Sequence, residues 1–548
     1  MKKIKVLLSL ILCIAVVSLS ACGGNVDSAD NDNGESTGDR IITLGISGTP
    51  NIDPAIAVSS SEMTAIVNLY DTLVVPAANG VESRVADTWK VSEDGLTYTF
   101  KIKEGIKFHN GSEMDAADVA FSMNRILEIG EGIAYIYSDV VESAESIDDT
   151  TVVFHMKKSF GPFVNSLIRL CILDEEEVME NKEDGIYGEN GDYGRNYLIT
   201  HDAGSGAYAA KKMVQQNYFL AEKNPDWFMG WENENAPDGF KMMAITEAAT
   251  VRTMIQNGSL DMTDQWQSSE NLSAMSKMDG ISIANYSTSL MYNMYLNTQL
   301  APMDDVNVRK AICSLIDYDT IINHILVGSV KAKGPVMSKV AGSTETNVYN
   351  YDVEKAKKYL ADSKYADTIG DYEIEILCNS DVVSLEKIAL MIQAIGSEVG
   401  MNFEISKAPW VSIIDRTGSV DTTPHMLAIA SPAKYNDAGS YLESRYHSKN
   451  SGTWEQGEWV ANEELDKMIE DALAIIDDDE RYSKYEEIEN YIVDELCPTA
   501  YLCEYTERVA YNNNRVKWNF IENAEKGKIA YTLDGFSHVF SNMEYITN

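Results

Sequence analysis

The stretch ADTWKVSEDGLTYTFKIKEGIKFHNGSEMDAADVAFSMNRIL, residues 86–127, carries three structural signals in succession. In its centre Tyr98, Phe100 and Ile102 alternate with polar residues, and this period of two predicts a half-buried β-strand. After the turn residues HNGSEM, Asp115 is placed to cap a helix whose apolar residues recur on one side. The stretch therefore predicts a strand, a turn and a helix in that order.

A second ordered unit lies further along the chain. YEIEIL (372–377) is a strand candidate, and Leu385, Ile388 and Ile392 then recur at helical spacing. Gly400 is suited to end that helix, and MNFEIS begins another strand. This order predicts a βαβ unit with two parallel strands, the centre of an α/β lobe.

Composition limits the classes of protein to which the chain can belong. With 548 residues, 45% hydrophobic and 24% charged, it is too long for one hydrophobic core, so we expect at least two lobes. Its 44 basic and 85 acidic residues give a formal charge of −41. Such a charge repels phosphate backbones, which argues against nucleic acids and anionic lipid surfaces as partners.

The N-terminus has the features of an export signal. Three lysines within the first five residues precede an apolar stretch, residues 6–19, which is shorter than the ~20 residues of a membrane span. The sequence Leu-Ser-Ala-Cys that follows resembles a bacterial lipobox. We predict that residues 1–21 are a lipoprotein signal peptide and that Cys22 is lipidated. Residues 22–39 are almost free of apolar side chains and are expected to form a flexible tether.

Catalytic and metal-binding motifs are missing from the sequence. No P-loop, dinucleotide glycine pattern, GxSxG or HExxH is present, and the Ser384-x-x-Lys387 match is better explained by a helix face. The histidines and the cysteines lack zinc-site or disulfide-framework spacing. We therefore expect no enzymatic activity, no metal and no cofactor.

Taken together, these segments resemble the family 5 extracellular solute-binding proteins of ABC importers, which include dipeptide, oligopeptide and nickel binders. Residues 86–127 carry the most distinctive part of the resemblance. Three further motifs support it: GSGAYAAKKMVQQNYFLAEKNPDWF (204–228), NGSLDM (257–262) and YLNTQLAPMDDVNVRKAICSLIDYDTII (295–322). The resemblance covers nearly the whole mature chain.

The resemblance implies an α/β, bilobal periplasmic-binding-protein fold of type II, cluster C, with two mixed-sheet lobes. Lobe I would comprise residues 40–288 together with 505–548, including an extra subdomain at about 71–195. Lobe II would comprise residues 289–504, so that two crossover segments form the hinge. A ligand that contacts both lobes shifts the population toward the closed state.

The resemblance also implies a function. A lipid-anchored protein on the extracytoplasmic face of the cell membrane, or in the periplasm of a diderm cell, would deliver its ligand to ABC permease and ATPase subunits. An oligopeptide is the first choice of ligand, an oligosaccharide is the alternative, and a nickel complex ranks third. A ligand-sensing or structural surface lipoprotein is the remaining hypothesis. We expect a monomer that contacts the membrane through its lipid only.

Several ligand-binding residues follow from the family pattern. The first cleft loop, IDPAIAVSSSEM, offers Ser59, Ser60 and Glu62, although helix capping by Ser60 or Ser61 is an equally good interpretation. Trp266 falls at the expected cleft edge, and Trp410 matches the tryptophan of the second lobe. Large aromatic faces accept varied side chains or sugar rings.

The segment SPAKYNDAGSYLESRYHS (431–448) departs from the family pattern. Peptide binders of the family commonly carry an acidic residue here that pairs with the α-ammonium group, whereas this chain has Lys434. A lysine would suit an anionic ligand, although a surface lysine is the simpler explanation. Either Asp437 replaces the acid, or the ligand carries no free amine at all. Tyr435 and Tyr292 are candidates for hydrogen bonds with the ligand.

Overall fold

The computed structural model describes residues 40–77, 80–525 and 533–547. The predicted signal peptide, the tether and Cys22 lie outside the described residues. Within the described part of the chain, no helix combines the length and the apolar character required to cross a membrane. The five cysteines there are buried free thiols.

The strands of the described residues are β1 (Ile41–Ile46), β2 (Val74–Ala77), β3 (Gly80–Ser83), β4 (Ala86–Val91), β5 (Thr97–Ile102), β6 (Val141–Asp148), β7 (Thr151–Met156), β8 (Tyr208–Val214), β9 (Tyr218–Lys223), β10 (Gly239–Ala244), β11 (Ile281–Leu296), β12 (Val330–Lys331), β13 (Glu373–Asn379), β14 (Asn402–Ala408), β15 (Met426–Pro432), β16 (Thr499–Asn512), β17 (Val516–Trp518) and β18 (Met543–Tyr545).

The α-helices are α1 (Ser60–Leu69), α2 (Ala116–Ile129), α3 (Phe163–Ser166), α4 (Glu175–Glu180), α5 (Arg195–Leu198), α6 (Ala248–Asn257), α7 (Ser269–Met275), α8 (Val306–Leu315), α9 (Tyr318–Thr320), α10 (Val353–Ala361), α11 (Val383–Glu398), α12 (Trp410–Thr417), α13 (Gly439–Tyr446), α14 (Glu463–Leu473), α15 (Asp478–Tyr491) and α16 (Asn519–Glu525). Short 3-10 and π turns lengthen several of the connections.

The strand, turn and helix predicted within residues 86–127 are confirmed as β5 and α2. The side chain of Asp115 accepts hydrogen bonds from the backbone N–H groups of Ala117 and Asp118, and that of Asp118 accepts one from Asp115 N. This reciprocal capping box satisfies N–H groups that a helix start leaves unpaired. Gly130 then ends the helix in a left-handed conformation, φ 66°.

Three larger sheets organise the chain. One has the strand order β1-β10-β9-β8, a second has β4-β5-β7-β6, and the third has β12-β16-β11-β15-β13-β14. In the third sheet β13 and β14 pair in parallel, with α11 between them in sequence. This confirms the predicted βαβ unit. Because β11 pairs antiparallel with both β15 and β16, the sheet as a whole is mixed.

Two long antiparallel strands, β11 and β16, connect the two halves of the molecule. Ile281 pairs with Asn512 at one end and Tyr295 with Thr499 at the other, and the register shifts between Ser287 and Met291. On one side of this shift β11 contributes to the core around the first sheet, and on the other side to the core around the third. The division into lobes at residues 288/289 and 504/505 stays a prediction.

A single hydrophobic cluster joins the sheet that contains β5 to helices α13, α14 and α15. Backbone contacts support it, because Gly161 N donates to Leu473 O at 2.8 Å. The Ser159 hydroxyl donates to Ala474 O at 2.7 Å. These contacts hold the segment predicted as the extra subdomain against the helices near the end of the predicted lobe II.

Candidate functional site

A small pocket lies where six separate segments of the chain meet, and we call it the cleft pocket. It is formed by the first half of α1, the loop that contains Gln265, the shifted region of β11, the end of β15, the middle of β16 and a C-terminal segment. Its lining residues are Ser60, Thr64, Gln265, Thr288, Ser289, Leu290, Pro432, Glu507, Leu533, Asp534, Gly535, Ser537 and His538. Its free volume of about 20 Å³ is room for about one water molecule.

The first predicted loop reaches this pocket through Ser60. Ser59 instead caps α1, and the Glu62 carboxylate accepts from the Ser59 backbone N–H at 2.8 Å and from the Ser59 hydroxyl at 2.8 Å. The Ser60 side chain lines the pocket beside Asp534. The geometry therefore gives Ser59 and Glu62 the capping role and leaves Ser60 facing the pocket.

Lys434 is buried in an ion pair. Its side-chain nitrogen lies 3.1 Å from Glu455 Oε1 and 5.4 Å from the centre of the Trp454 ring. The lysine is 5% exposed, so the surface-lysine explanation is wrong. Lys434 coulombically lowers the pKa of the Glu455 carboxyl, against the opposing effect of burial. Because its charge is balanced by Glu455, Lys434 presents no free cation to a ligand.

Trp410 lies next to this ion pair. Its ring packs edge-on against Trp454, with centroids 5.0 Å apart and planes at 71°. Trp410 begins α12 and remains partly exposed. Two of the residues predicted from the sequence, Trp410 and Lys434, are thus brought together by Trp454 and Glu455, which the sequence analysis missed. The only sequence feature that could have pointed to Trp454 and Glu455 is that a tryptophan and a carboxylate are adjacent in a polar segment.

Asp437 and Tyr435 are both buried inside the protein. The Asp437 carboxylate accepts from Arg481 Nη2 at 2.9 Å, from the Tyr485 hydroxyl at 2.8 Å and from Gly439 N at 2.8 Å. Burial raises the pKa of Asp437, and the Arg481 guanidinium lowers it. Tyr435 is 2% exposed within the large hydrophobic cluster. Both oxygens of Asp437 are therefore occupied by protein donors, which favours a structural role.

Tyr292 and Trp266 line a different small pocket. The Tyr292 hydroxyl lies 3.5 Å from Ser384 Oγ. Trp266 is half-buried against the core of the third sheet. Lys387 forms an ion pair with Glu270 at 2.6 Å, and a lysine held in this way is not available as a base for Ser384. The sequence-predicted residues therefore fall into four separate places: the start of α1, the Lys434–Glu455 pair, the buried surroundings of Asp437, and the pocket lined by Tyr292 and Trp266.

A family model described as "Bacterial extracellular solute-binding proteins, family 5 Middle" matches residues 80–453. The chain belongs to this family. In Escherichia coli, the probable D,D-dipeptide-binding periplasmic protein DdpA is 26% identical over 487 residues, covering 86% of this chain and 90% of DdpA. The oligopeptide-binding protein AppA of Bacillus subtilis is 22% identical, covering 90% of this chain and 92% of AppA.

Solved structures agree with the bilobal fold. The periplasmic binding protein DppA of Helicobacter pylori, in complex with the peptide STSA, superimposes with a TM-score of 0.77 at 21% identity. The match covers 92% of this chain and 98% of DppA. At that identity the likeness establishes the fold alone, which is the type II, bilobal arrangement that the sequence resemblance predicted.

Three titratable residues of this family 5 protein, all missed in the sequence, line the cleft pocket. Burial raises the pKa of Glu507 to about 7, and the neighbouring carboxyl groups of Asp534 and Asp264 raise it as well. Burial also raises the pKa of Asp534. In contrast, burial lowers the pKa of His538 to about 4, so its imidazole is neutral. Because these residues are distant in sequence from Ser60, no local pattern reveals that they share a site.

Metal binding has no support in the described residues, where no cluster of three or more histidine, cysteine or acidic side chains is arranged to hold an ion. The cleft pocket itself offers two carboxyl groups, the side-chain amide of Gln265 and several hydroxyls as oxygen atoms.

Proposed function

We propose that this protein captures an oligopeptide between its two lobes and delivers it to the permease of an ABC importer. Two relatives that cover most of the chain are named as binders of dipeptides or oligopeptides. The observation that carries the proposal is the cleft pocket, because the start of α1, both long connecting strands and the end of β15 contribute to one site. A ligand there would contact segments of both predicted lobes.

The size of the pocket supports a closing mechanism. Its free volume of about 20 Å³ is far smaller than a dipeptide, so the walls must move apart to admit one. A ligand that contacts both walls then binds the closed state more tightly than the open state. Closure around the ligand is the change in shape that a permease would recognise.

The aromatic pair Trp410 and Trp454 is suited to variable side chains. Its apolar faces offer contact area with few directional demands, which matches a transporter that accepts many peptides. The same faces could stack on sugar rings, and this is the observation that favours an oligosaccharide as the second candidate. The two candidates differ in charge, since a peptide carries an ammonium group and a neutral sugar does not.

The test is a thermal-shift comparison on the chain from residue 39 onward, without its lipid signal. A ligand that binds the folded state alone adds about 2.7 kcal/mol of stability at a hundredfold excess over its Kd. We expect tripeptides to pentapeptides to raise the Tm and neutral oligosaccharides to leave it unchanged. A shift with the sugars alone would replace the peptide with the second candidate.

We further propose that lipid on Cys22 holds the protein on the extracytoplasmic face beside its permease. The family consists of extracellular proteins, which agrees with export. Metabolic labelling with a radioactive fatty acid should mark the wild-type protein and leave Cys22→Ser unlabelled, because a serine hydroxyl does not replace the thiol that accepts the lipid. A wild-type protein that takes up no label would contradict lipid anchoring.

A further inference from the structure

The cleft pocket carries two carboxyl groups and no lysine or arginine among its described lining residues. Glu507 comes from β16 and is 9% exposed, whereas Asp534 comes from the C-terminal segment. No cation is among the groups that shift the pKa of Glu507. The pocket therefore carries one buried and one half-buried carboxyl group, whose charged forms are disfavoured unless a positive charge lies beside them.

The cationic side chains near the pocket, Lys434 and Arg169, do not neutralise its carboxyl groups from within the pocket. Lys434 and Arg169 lower the pKa of Asp534, which places them in its electrostatic surroundings. Lys434, however, is held by Glu455 at 3.1 Å. Neither Lys434 nor Arg169 lines the cleft pocket. The two carboxyl groups are thus open to a cation supplied from outside the protein.

A second feature of the pocket also points to a ligand. His538 lines it, is 6% exposed, and its Nε2 has no hydrogen-bond partner among the described residues. Its Nδ1 lies 2.9 Å from the Ser537 hydroxyl. A neutral imidazole whose Nδ1 receives that hydroxyl proton presents Nε2–H, and one whose Nδ1 donates presents Nε2 as an acceptor. In both tautomers, the buried Nε2 atom of His538 has no hydrogen-bond partner among the described residues.

We propose that Glu507 and Asp534 bind an ammonium group of the ligand in the cleft pocket. This inference rests on the proposed function and specifies its ligand as one with a free primary amine. An ammonium group has three N–H donors, which two carboxylates and a third polar atom of the pocket can accept. A divalent metal ion is a poorer match, because the described residues contain no group of three suitable ligands.

The test compares a library of tripeptides to pentapeptides that have free N-termini with the same library after N-acetylation. Each is applied to the wild-type chain from residue 39 and to the variants Glu507→Gln and Asp534→Asn. The proposal expects the wild type to bind the free-amine library at least about tenfold more tightly. Each variant should lose most of this preference. Glu487→Gln, an exposed acid on α15, is the matched control and should keep it.

Stability separates a binding effect from misfolding. Removing one of two neighbouring like charges should leave the Tm of the unliganded variants equal to or above that of the wild type, while the ligand-induced shift becomes smaller. Equal binding of free and acetylated peptides by the wild type would overturn the proposal. An equal loss of binding for both libraries in the variants would also overturn it.

A failure of the peptide hypothesis itself has a different signature. If neither peptide library binds, glucosamine oligomers and N-acetylglucosamine oligomers are compared in the same assay. Binding of the amine-bearing sugars alone would uphold the acidic site and replace the peptide as ligand. Binding of the acetylated sugars to the same extent, or of no amine-bearing compound in either panel, would overturn the acidic site.

Discussion

The side chains of Lys434 and Glu455 form an ion pair of 3.1 Å, and they are only 6% and 9% exposed. Both charges are buried away from water, and the burial of each charge is tolerated because the opposite charge lies beside it. The Trp454 ring covers the lysine, 5.4 Å from its nitrogen. Because the pair has no net charge, Lys434 neither repels the ammonium group of a ligand nor attracts an anion strongly.

Breaking this pair should destabilise the protein strongly. In Glu455→Gln the Lys434 cation stays buried without its partner, and the cost in the free energy of unfolding should be about 3–5 kcal/mol. The exposed pair of Lys484 and Glu487 provides the control, since Glu487→Gln should cost under about 1 kcal/mol. Urea unfolding of both variants measures the difference. If Glu455→Gln and Glu487→Gln lose equally little unfolding free energy, water reaches the Lys434 side chain.

Asp437 should prove to be a structural residue. Asp437→Asn leaves the guanidinium of Arg481, which is fully buried in the ion pair, without its main counterion. We expect a loss of about 3–5 kcal/mol in unfolding free energy. At a temperature where the variant is still folded, its Kd for peptides should stay within about threefold of wild type. A much weaker Kd with unchanged stability would instead place Asp437 in the binding site.

The sequence patterns that proved informative are local. The alternation around Tyr98 and the cap at Asp115 predicted β5 and α2, because a strand period and a helix cap depend on neighbouring residues alone. The residues of the candidate site, in contrast, are brought together from distant parts of the sequence. Asp534 lies hundreds of residues from Ser60 in the chain, and Trp454 meets Trp410 only after β15 and α13, which lie between them in sequence, have packed. Such contacts depend on tertiary packing, which no local pattern encodes.

Glu458 should make stability depend on pH. Its Oε1 accepts from the Thr499 hydroxyl at 2.7 Å, its Oε2 has no partner among the described residues, and burial raises its pKa to about 8. Between its ordinary value near 4.5 and pH 8, the folded state keeps a proton that the unfolded state releases. Stability contributed by this group is therefore lost as the pH rises.

Glu458→Gln removes this proton linkage while keeping the shape of the side chain. The variant should be more stable than wild type by about 3 kcal/mol at pH 7 and by under about 1 kcal/mol at pH 5. Urea unfolding at the two pH values measures both differences. A gain that does not change with pH would show that Glu458 is already ionised in the folded protein.

A surface ion pair between Asp139 and Lys449 should help to hold the closed state. The pair measures 2.7 Å and joins the predicted extra subdomain to the predicted lobe II. Asp139→Lys places two like charges together, so the affinity for peptides should fall by about three- to tenfold. Because the aspartate is 55% exposed, added salt should reduce this difference. Asp139→Asn removes the attraction without adding repulsion, so its affinity for peptides should lie between those of the wild type and Asp139→Lys.

Trp410 should contribute to ligand binding more than to folding. It is partly exposed at the start of α12, and its ring meets Trp454 at 5.0 Å. We expect Trp410→Ala to weaken the affinity for peptides at least about tenfold, because a large apolar contact surface is lost. Trp410→Phe, which keeps an aromatic face, should retain most of the affinity.

Calorimetric titration and thermal unfolding of the two Trp410 variants separate binding from stability. Since the ring is not fully buried, the Tm of Trp410→Ala should drop by only a few degrees, while the heat of peptide binding is largely lost. If instead the Tm falls sharply and the Kd of the folded fraction is unchanged, Trp410 belongs to the core with Trp454 and not to the ligand cleft.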